Sequence, residues 1–239
     1  MPTNPTSSPW SFFDKIYCIS IDTRIDRRTE AKKQFSACGL EDRVEFVIVQ
    51  KHPANQEQGI FQSHILCLKK GLEAGARHIL VFEDDILIKN FHPEPLSNAL
   101  QFLGGTLRWE AFFLGAISSK STKTTNKNVV AIHYRCLAHA YCLHHDFARH
   151  ISNQLWSGIP FDNLLQQQCK KGFALSPMIA FQSSAATDNK TILLDRIRRF
   201  CGGLPFIQRA NEFFQRHKII ILLLHLVTFI LIALSAVLK

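Results

Sequence analysis

His78-Ile-Leu-Val-Phe-Glu-Asp-Asp85 decides how this chain is read. Ile79 to Phe82 is a continuous apolar run, suited to a strand covered on both faces. It leads straight into three consecutive carboxylates. Such a triplet at a strand end is electrostatically costly unless something cationic sits there. Alternation along an extended segment predicts Glu83 and Asp85 on one side and Asp84 on the other. Two hard oxygen ligands on one side suit Mg²⁺ or Mn²⁺, with water and phosphate oxygens completing the shell. For the triplet alone, a solvated acidic turn capping the next element is an equal alternative.

Outward from this stretch, strands and helices alternate. Lys15–Ile21 and Val44–Val49 are short β-branched runs, and a helix lies between them, closed by Gly39. Residues 60–74 carry apolar side chains at helical spacing. A helix at about 96–103, a strand at 111–114 and mostly β-like residues 129–143 follow. Two further helices begin near Asp146 and Asp162, and residues 177–182 read as extended. Residues 118–128, SSKSTKTTNKN, are polar and predicted to be a mobile loop. This alternation predicts an α/β domain with a mixed, largely parallel sheet. Ligands in such sheets gather at the carboxyl ends of strands, where the acidic cluster and the Arg-rich turn 22–28 both fall.

Asp22, Arg24, Arg27 and Arg28 follow the first strand. Arginines there can grip phosphate bidentately with help from the next helix N-terminus, although pairing on a helix surface is the commoner use. Ser63 and His64 sit at a loop-to-helix entry, and His139 and Asp162 supply a second histidine and a further carboxylate. Asp162 could accept a proton from an acceptor hydroxyl; it could equally cap the helix after it.

The chain has 239 residues, with Lys and Arg exceeding Asp and Glu by 28 to 19. That surplus favours anionic partners. Its 46% apolar fraction is ordinary for a globular protein and argues against wholesale disorder. The seven cysteines are scattered without a C-x-x-C pair, which indicates neither a zinc site nor a disulfide framework and fits a reducing compartment. Residues 1–13 are expected to be a disordered arm. Ile219 to Leu238 contains no charged residue, and 20 residues at ~1.5 Å each match a bilayer core of ~30 Å. Arg196, Arg198, Arg199, Arg209, Arg216 and Lys218 precede it, which predicts a single-pass C-terminal anchor with the domain on the cytoplasmic side. Residues 191–218 are then a basic juxtamembrane region. His225 within the span reads as tolerated rather than employed.

Taken in order, ISIDTRIDRR (19–28), G-x-x-x-S-H (59–64), the strand into Glu-Asp-Asp, W-x-x-x-x-L-G (109–115), H-A-Y (139–141), P-x-D (160–162) and P-x-x-A-x-Q (177–182) form a series. It resembles glycosyltransferase family 25, which includes lipooligosaccharide and collagen hydroxylysine galactosyltransferases, over about residues 14–190. The resemblance implies a GT-A-like, nucleotide-sugar-binding fold, a UDP-sugar donor (commonly UDP-galactose), Mn²⁺ or Mg²⁺ at the acidic motif, and inversion at the anomeric carbon. By position it assigns Glu83 and Asp85 to the metal and His64 and Asp162 to catalysis. Asp22, Arg24, Arg27, Arg28, Ser63, Asp84 and His139 fall to the donor. Ile60 stands where the family often has Cys, and Thr-Asp-Asn at 187–189 replaces a more usual Ser-Asp-Ile. The 118–128 segment and the apolar tail also depart from it. With the tail, the reading becomes transfer of a hexose to a glycan or glycolipid acceptor at the membrane surface, such as a lipopolysaccharide core, with no nucleic-acid partner. A catalytically inactive glycosyltransferase-like membrane adaptor is the alternative, and a metal-dependent phosphohydrolase ranks third.

Overall fold

The structure, a computed structural model, describes residues 8–183 and 203–237. In chain order the elements are β1 (Lys15–Ile21), α1 (Ile25–Ala37), β2 (Val44–Val49), α2 (Gln56–Glu73), β3 (His78–Glu83) and β4 (Ile86–Ile88). Then come α3 (Pro93–Gly104), β5 (Ala111–Phe113), β6 (Ile117–Lys123), β7 (Val129–Cys136), β8 (Ala140–His144) and α4 (His145–Ser152). The chain continues with α5 (Phe161–Gln168), β9 (Gly172–Leu175), β10 (Ala180–Gln182) and α6 (Gly203–Val237).

Eight strands form one sheet in the order β2-β1-β3-β8-β5-β9-β7-β6, and β10 pairs with β4 apart from it. The pairings give six strands one direction, with only β8 and β7 opposed. The sheet is therefore mixed and largely parallel, as the alternation of elements predicts. Both faces are covered. Ile79 and Val81 of β3 point into a core shared with α2, α4 and α5, while Leu80 and Phe82 point into one shared with α1 and α3. That is why β3 reads as unbroken apolar sequence instead of an alternating one.

Two expectations need correcting. Residues 9–12 form a 3-10 turn in which Trp10 is buried, its indole N–H donating to the Cys38 carbonyl at 2.8 Å, and Phe13 is buried behind it. The ordered core thus reaches back into the stretch expected to be an arm. Residues 118–128 are not a loop. They hold most of β6 and the turn to β7, with Ser118 facing Tyr134 and Lys123 facing Val130.

α6 accounts for β6. Its first half lays Gln208, Asn211, Glu212, Gln215 and Lys218, one helical face, against the sheet edge and the segment before β10. Asn211 accepts from the Ser118 N–H and donates to the Ser118 carbonyl, both at 3.0 Å. Gln215 accepts from the Ser121 N–H at 3.1 Å and donates to the carbonyls of Ser118 and Ser119. Glu212 takes the Met178 N–H. These side-chain amides stand in for the strand that an edge otherwise lacks. From Ile219 onward the same helix exposes its large apolar side chains on every side. Among the described residues it is the one helix long and apolar enough to cross a membrane. It begins at Gly203, so the residues ahead of Ile219 are helical too. Arg196, Arg198, Arg199 and Thr-Asp-Asn at 187–189 lie outside the described residues.

Candidate functional site

Beyond the carboxyl ends of β1 and β3 lies an open cleft. One wall carries Ser20, Arg27, Glu83, Asp84, Asp85 and Gln182, and another carries Ser63 and His64 of α2. Val49, Gln50, Lys51 and His52, at the end of β2 and just beyond it, complete it. Gly59 lets this last wall close in: a Cβ there would lie 2.8 Å from His52 Cβ. Gly115 does the same at the end of β5, where an added Cβ would meet the Ala180 carbonyl oxygen at 1.8 Å. These contacts give physical reasons for the glycines in two of the motifs.

β3 ends at Glu83, so Asp84 and Asp85 are already in a turn, and alternation no longer fixes their directions. Each carboxylate finds a different partner. Glu83 Oε1 lies 3.2 Å from His64 Nε2, and His64 Nδ1 lies 2.9 Å from the Tyr141 hydroxyl. Asp84 accepts from Ser20 Oγ at 2.7 Å and faces Arg27 Nη1 at 3.5 Å. Asp85 accepts from Gln182 Nε2 at 2.9 Å, with Arg27 Nη1 3.8 Å away. One guanidinium therefore serves two of three adjacent carboxylates.

The electrostatics follow. Burial raises the Glu83 carboxyl well above its ordinary range, and Asp85, Asp162 and Asp84 add to the rise. Its side chain still keeps 28% of its surface open to the cleft. Burial also raises Asp84, against the pull of Ser20 and Arg27. His64, stacked flat on Phe161 at 4.1 Å between ring centres, is pushed down to about 3 by burial and is neutral. One proton lies between Glu83 and His64 and another between His64 and Tyr141, so these groups form a buried relay opening on the cleft at Glu83.

The buried atoms Asp85 Oδ1 and His139 Nε2 complete no hydrogen bond among the described residues. His139 Nδ1 is directed at the Leu137 carbonyl at 3.1 Å. Burial lowers its pKa, while Asp85 and nearby carbonyls oppose that fall. Buried polar atoms without partners are rare and call for a reason; here both belong to groups beside the acidic cluster.

The remaining predicted residues divide. Ser63 lines the cleft, its hydroxyl donating back to the Gly59 carbonyl at 2.7 Å. Arg28 instead clamps the end of β1, donating to Ser20 Oγ and the carbonyls of Ile21 and Asp22. Arg24 forks onto Asp26 at 2.9 and 3.0 Å, and Asp22 accepts from the Thr23 N–H. Of the four positions in that turn, only Arg27 lines the cleft. Asp162 accepts from the Tyr134 hydroxyl and from the N–H groups of Leu137 and Ala138. It thereby holds Leu137 at a φ of 77°, a strained conformation for leucine, two residues before His139. Ser20, Gln182 and the 49–52 wall were not singled out from sequence. Ser20 and Gln182 do fall inside two of the motifs, ISIDTRIDRR and P-x-x-A-x-Q; nothing local marks the 49–52 wall.

Among the described residues no three His, Cys, Asp or Glu side chains form a ready-made metal cage. Mg²⁺ and Mn²⁺ commonly take only one or two protein carboxylates and leave the rest to water and phosphate. Asp85, with an oxygen to offer, and His139 beside it fit that mode.

No family model matches the chain, and no curated protein matches it. Several solved structures are similar in outline. A197 from STIV is 12% identical with a TM-score of 0.48, covering 71% of this chain and 85% of that one. A glycosyltransferase involved in the glycosylation of the major capsid of PBCV-1 is 8% identical with a TM-score of 0.41, covering 67% and 80%. Mannose-1-phosphate geranyltransferase from Thermus thermophilus is 9% identical with a TM-score of 0.42, covering 67% and 73%.

Proposed function

We propose that this chain is a metal-dependent glycosyltransferase that moves a hexose from a UDP-sugar to a glycan or glycolipid acceptor at a membrane surface. The family-25-like motif series supplies the donor class and favours galactose. The observation that carries the reading is the cleft, where Asp84 and Asp85 share one arginine beside Glu83 and Asp85 Oδ1 is buried without a hydrogen bond among the described residues. Asp85 and His139 would hold the metal. When bound, the ion would offset the negative charge that gathers on the departing diphosphate.

The chain's own groups do the rest. Arg27 orients the diphosphate from its place between the Asp84 and Asp85 carboxylates. The acceptor hydroxyl attacks the anomeric carbon as its bond to the UDP oxygen breaks, inverting that centre, and UDP leaves with the electron pair. The hydroxyl proton passes to Glu83, whose raised pKa suits a base and whose other oxygen is held by His64. Asp162, with its carboxylate committed to Tyr134 and two backbone amides, positions the turn that carries His139. α6 would anchor the domain on the cytoplasmic side, with Arg209, Arg216 and Lys218 ahead of the apolar run.

Calorimetry of the full chain in detergent with UDP-, GDP- and CMP-sugars, with and without Mn²⁺, tests this. Metal-dependent binding of a UDP-sugar, lost in Asp85→Ala, is the expected result. A folded chain that binds none of them overturns it.

A further inference from the structure

We propose that the β6–β7 hairpin is a second membrane contact, which binds the phosphates of anionic lipid headgroups beside the point where α6 leaves the domain. The proposal rests on the reading of α6 as a membrane span. It concerns a surface remote in the sheet from the cleft: β6 is the edge strand at the opposite end from β2.

Register places the hairpin at the right height. Asn211 meets Ser118, Gln215 meets Ser121, and Lys218 Nζ donates to the Ser121 carbonyl at 3.1 Å. β6 and α6 therefore advance in the same direction. Beyond Ser121 the strand continues to Lys123, roughly 7 Å further at ~3.3 Å per residue. That distance corresponds to about four or five helical residues past Lys218, which is already inside the apolar run starting at Ile219. The turn 124–128 lies further along still. Any bilayer that accepts the apolar half of α6 thus brings its headgroups to this hairpin.

The chemistry suits headgroups and not the hydrocarbon core. Lys120, Lys123 and Lys127 are all exposed, and Thr122 and Thr125 between them are exposed and polar. Residues 111–145 contain these three lysines and Arg135 but no Asp or Glu. The facing part of α6 adds Arg216 and Lys218, and its one carboxylate, Glu212, is held by the Met178 N–H. The surface is therefore basic from β6, β7 and α6; α3, which meets the turn through Asn98, adds one carboxylate, Glu94, which accepts from Asn98 Nδ2. The turn is also built: Thr124 Oγ1 donates to the Val129 carbonyl at 2.8 Å and accepts from the Asn126 N–H, while Asn126 Nδ2 donates to the Asn98 carbonyl. A hairpin so braced presents its lysines without losing further backbone freedom on binding.

Lysine acylation footprinting of the full chain tests this, in nanodiscs of phosphatidylcholine alone and of phosphatidylcholine with phosphatidylserine in equal parts. On the anionic discs, modification of Lys120, Lys123 and Lys127 should slow several-fold relative to neutral discs, and high salt should restore it. Lys32 and Lys33 on α1 should react equally on both. Equal rates at all five lysines, with the chain retained in both discs, overturn the hairpin contact and leave the span intact. A chain that an alkaline wash removes from both compositions overturns the span, and the hairpin proposal with it.

Discussion

The two ends of this sheet pose the same problem and answer it oppositely. At the carboxyl ends of β1 and β3, turning the chain exposes three carboxylates to burial. Along β6, an edge strand exposes backbone N–H and C=O groups. The edge is closed from within, because Asn211, Gln215 and Lys218 of α6 meet the polar groups of Ser118, Ser119 and Ser121. The cleft is not closed: Asp85 Oδ1, in its lining, completes no hydrogen bond among the described residues. Folding supplies partners along Ser118–Ser121 of the edge, whereas Asp85 in the cleft keeps an oxygen without one among the described residues. In physical terms this separates a structural surface from a site.

The strongest way to break that contrast is at Asp85. On the proposed function, Asp85→Asn keeps the shape and the Gln182 contact but removes charge where the diphosphate is held. Transfer should fall on the order of 100-fold or more, while flotation of the chain with vesicles is unchanged. A variant with near-normal transfer would mean that the orphaned oxygen has no role.

Between the two, where α6 meets β10, Gln208 is the side chain to change. It is fully buried, accepting from the Gln182 N–H at 3.0 Å and donating to the Ala180 carbonyl. Gln208→Leu keeps the volume and strands both backbone groups, which should cost about 1–3 kcal/mol, read by thermal unfolding in detergent. It also carries the comparison further, because the other end of Gln182 holds Asp85. If α6 braces the cleft as well as the edge, Gln208→Leu should weaken metal-dependent donor binding by several-fold. Lost stability with intact binding would confine α6 to the edge.

How much of this was legible follows from where the partners lie. β3 and its acidic end could be read because period and charge are local. The terminal apolar helix could be read because length and hydropathy are local too. β6 could not. Ser-Ser-Lys-Ser-Thr-Lys looks like a solvated loop, and what makes it a strand is its ladder with β7 together with a row of amides more than 90 residues later that meet its outer edge. The turn 22–28 shows the opposite limit. Four charged positions looked equivalent in sequence, yet helical geometry sends Arg27 alone into the cleft and turns Arg24 and Arg28 onto the chain's own oxygens. Asp162 shows a third: its type fits a base, but three donors already meet its carboxylate.

The smallest effect expected sharpens the cleft itself. Buried His64 is held near a pKa of about 3, below the ordinary 6.5. The folded state therefore binds fewer protons than the unfolded state between those values. The stabilisation that neutral His64 provides is complete above pH 6.5 and is lost as pH falls below it. Glu83 acts in the other direction, since its raised pKa makes the folded state the better proton binder. Raw stability against pH thus mixes two opposed slopes. Comparing the wild type with His64→Asn at each pH removes most other groups from the difference. The advantage of the wild type should shrink by about 1 kcal/mol between about pH 7 and pH 5.5, measured by denaturant unfolding in detergent. A constant advantage would mean that His64 titrates alike in the folded and unfolded chain. One that grows toward pH 5.5 would mean that it carries its proton in an ion pair that makes Glu83 a poor base. A shrinking one leaves Glu83 with a neutral partner, the state in which it can accept a proton from an incoming hydroxyl.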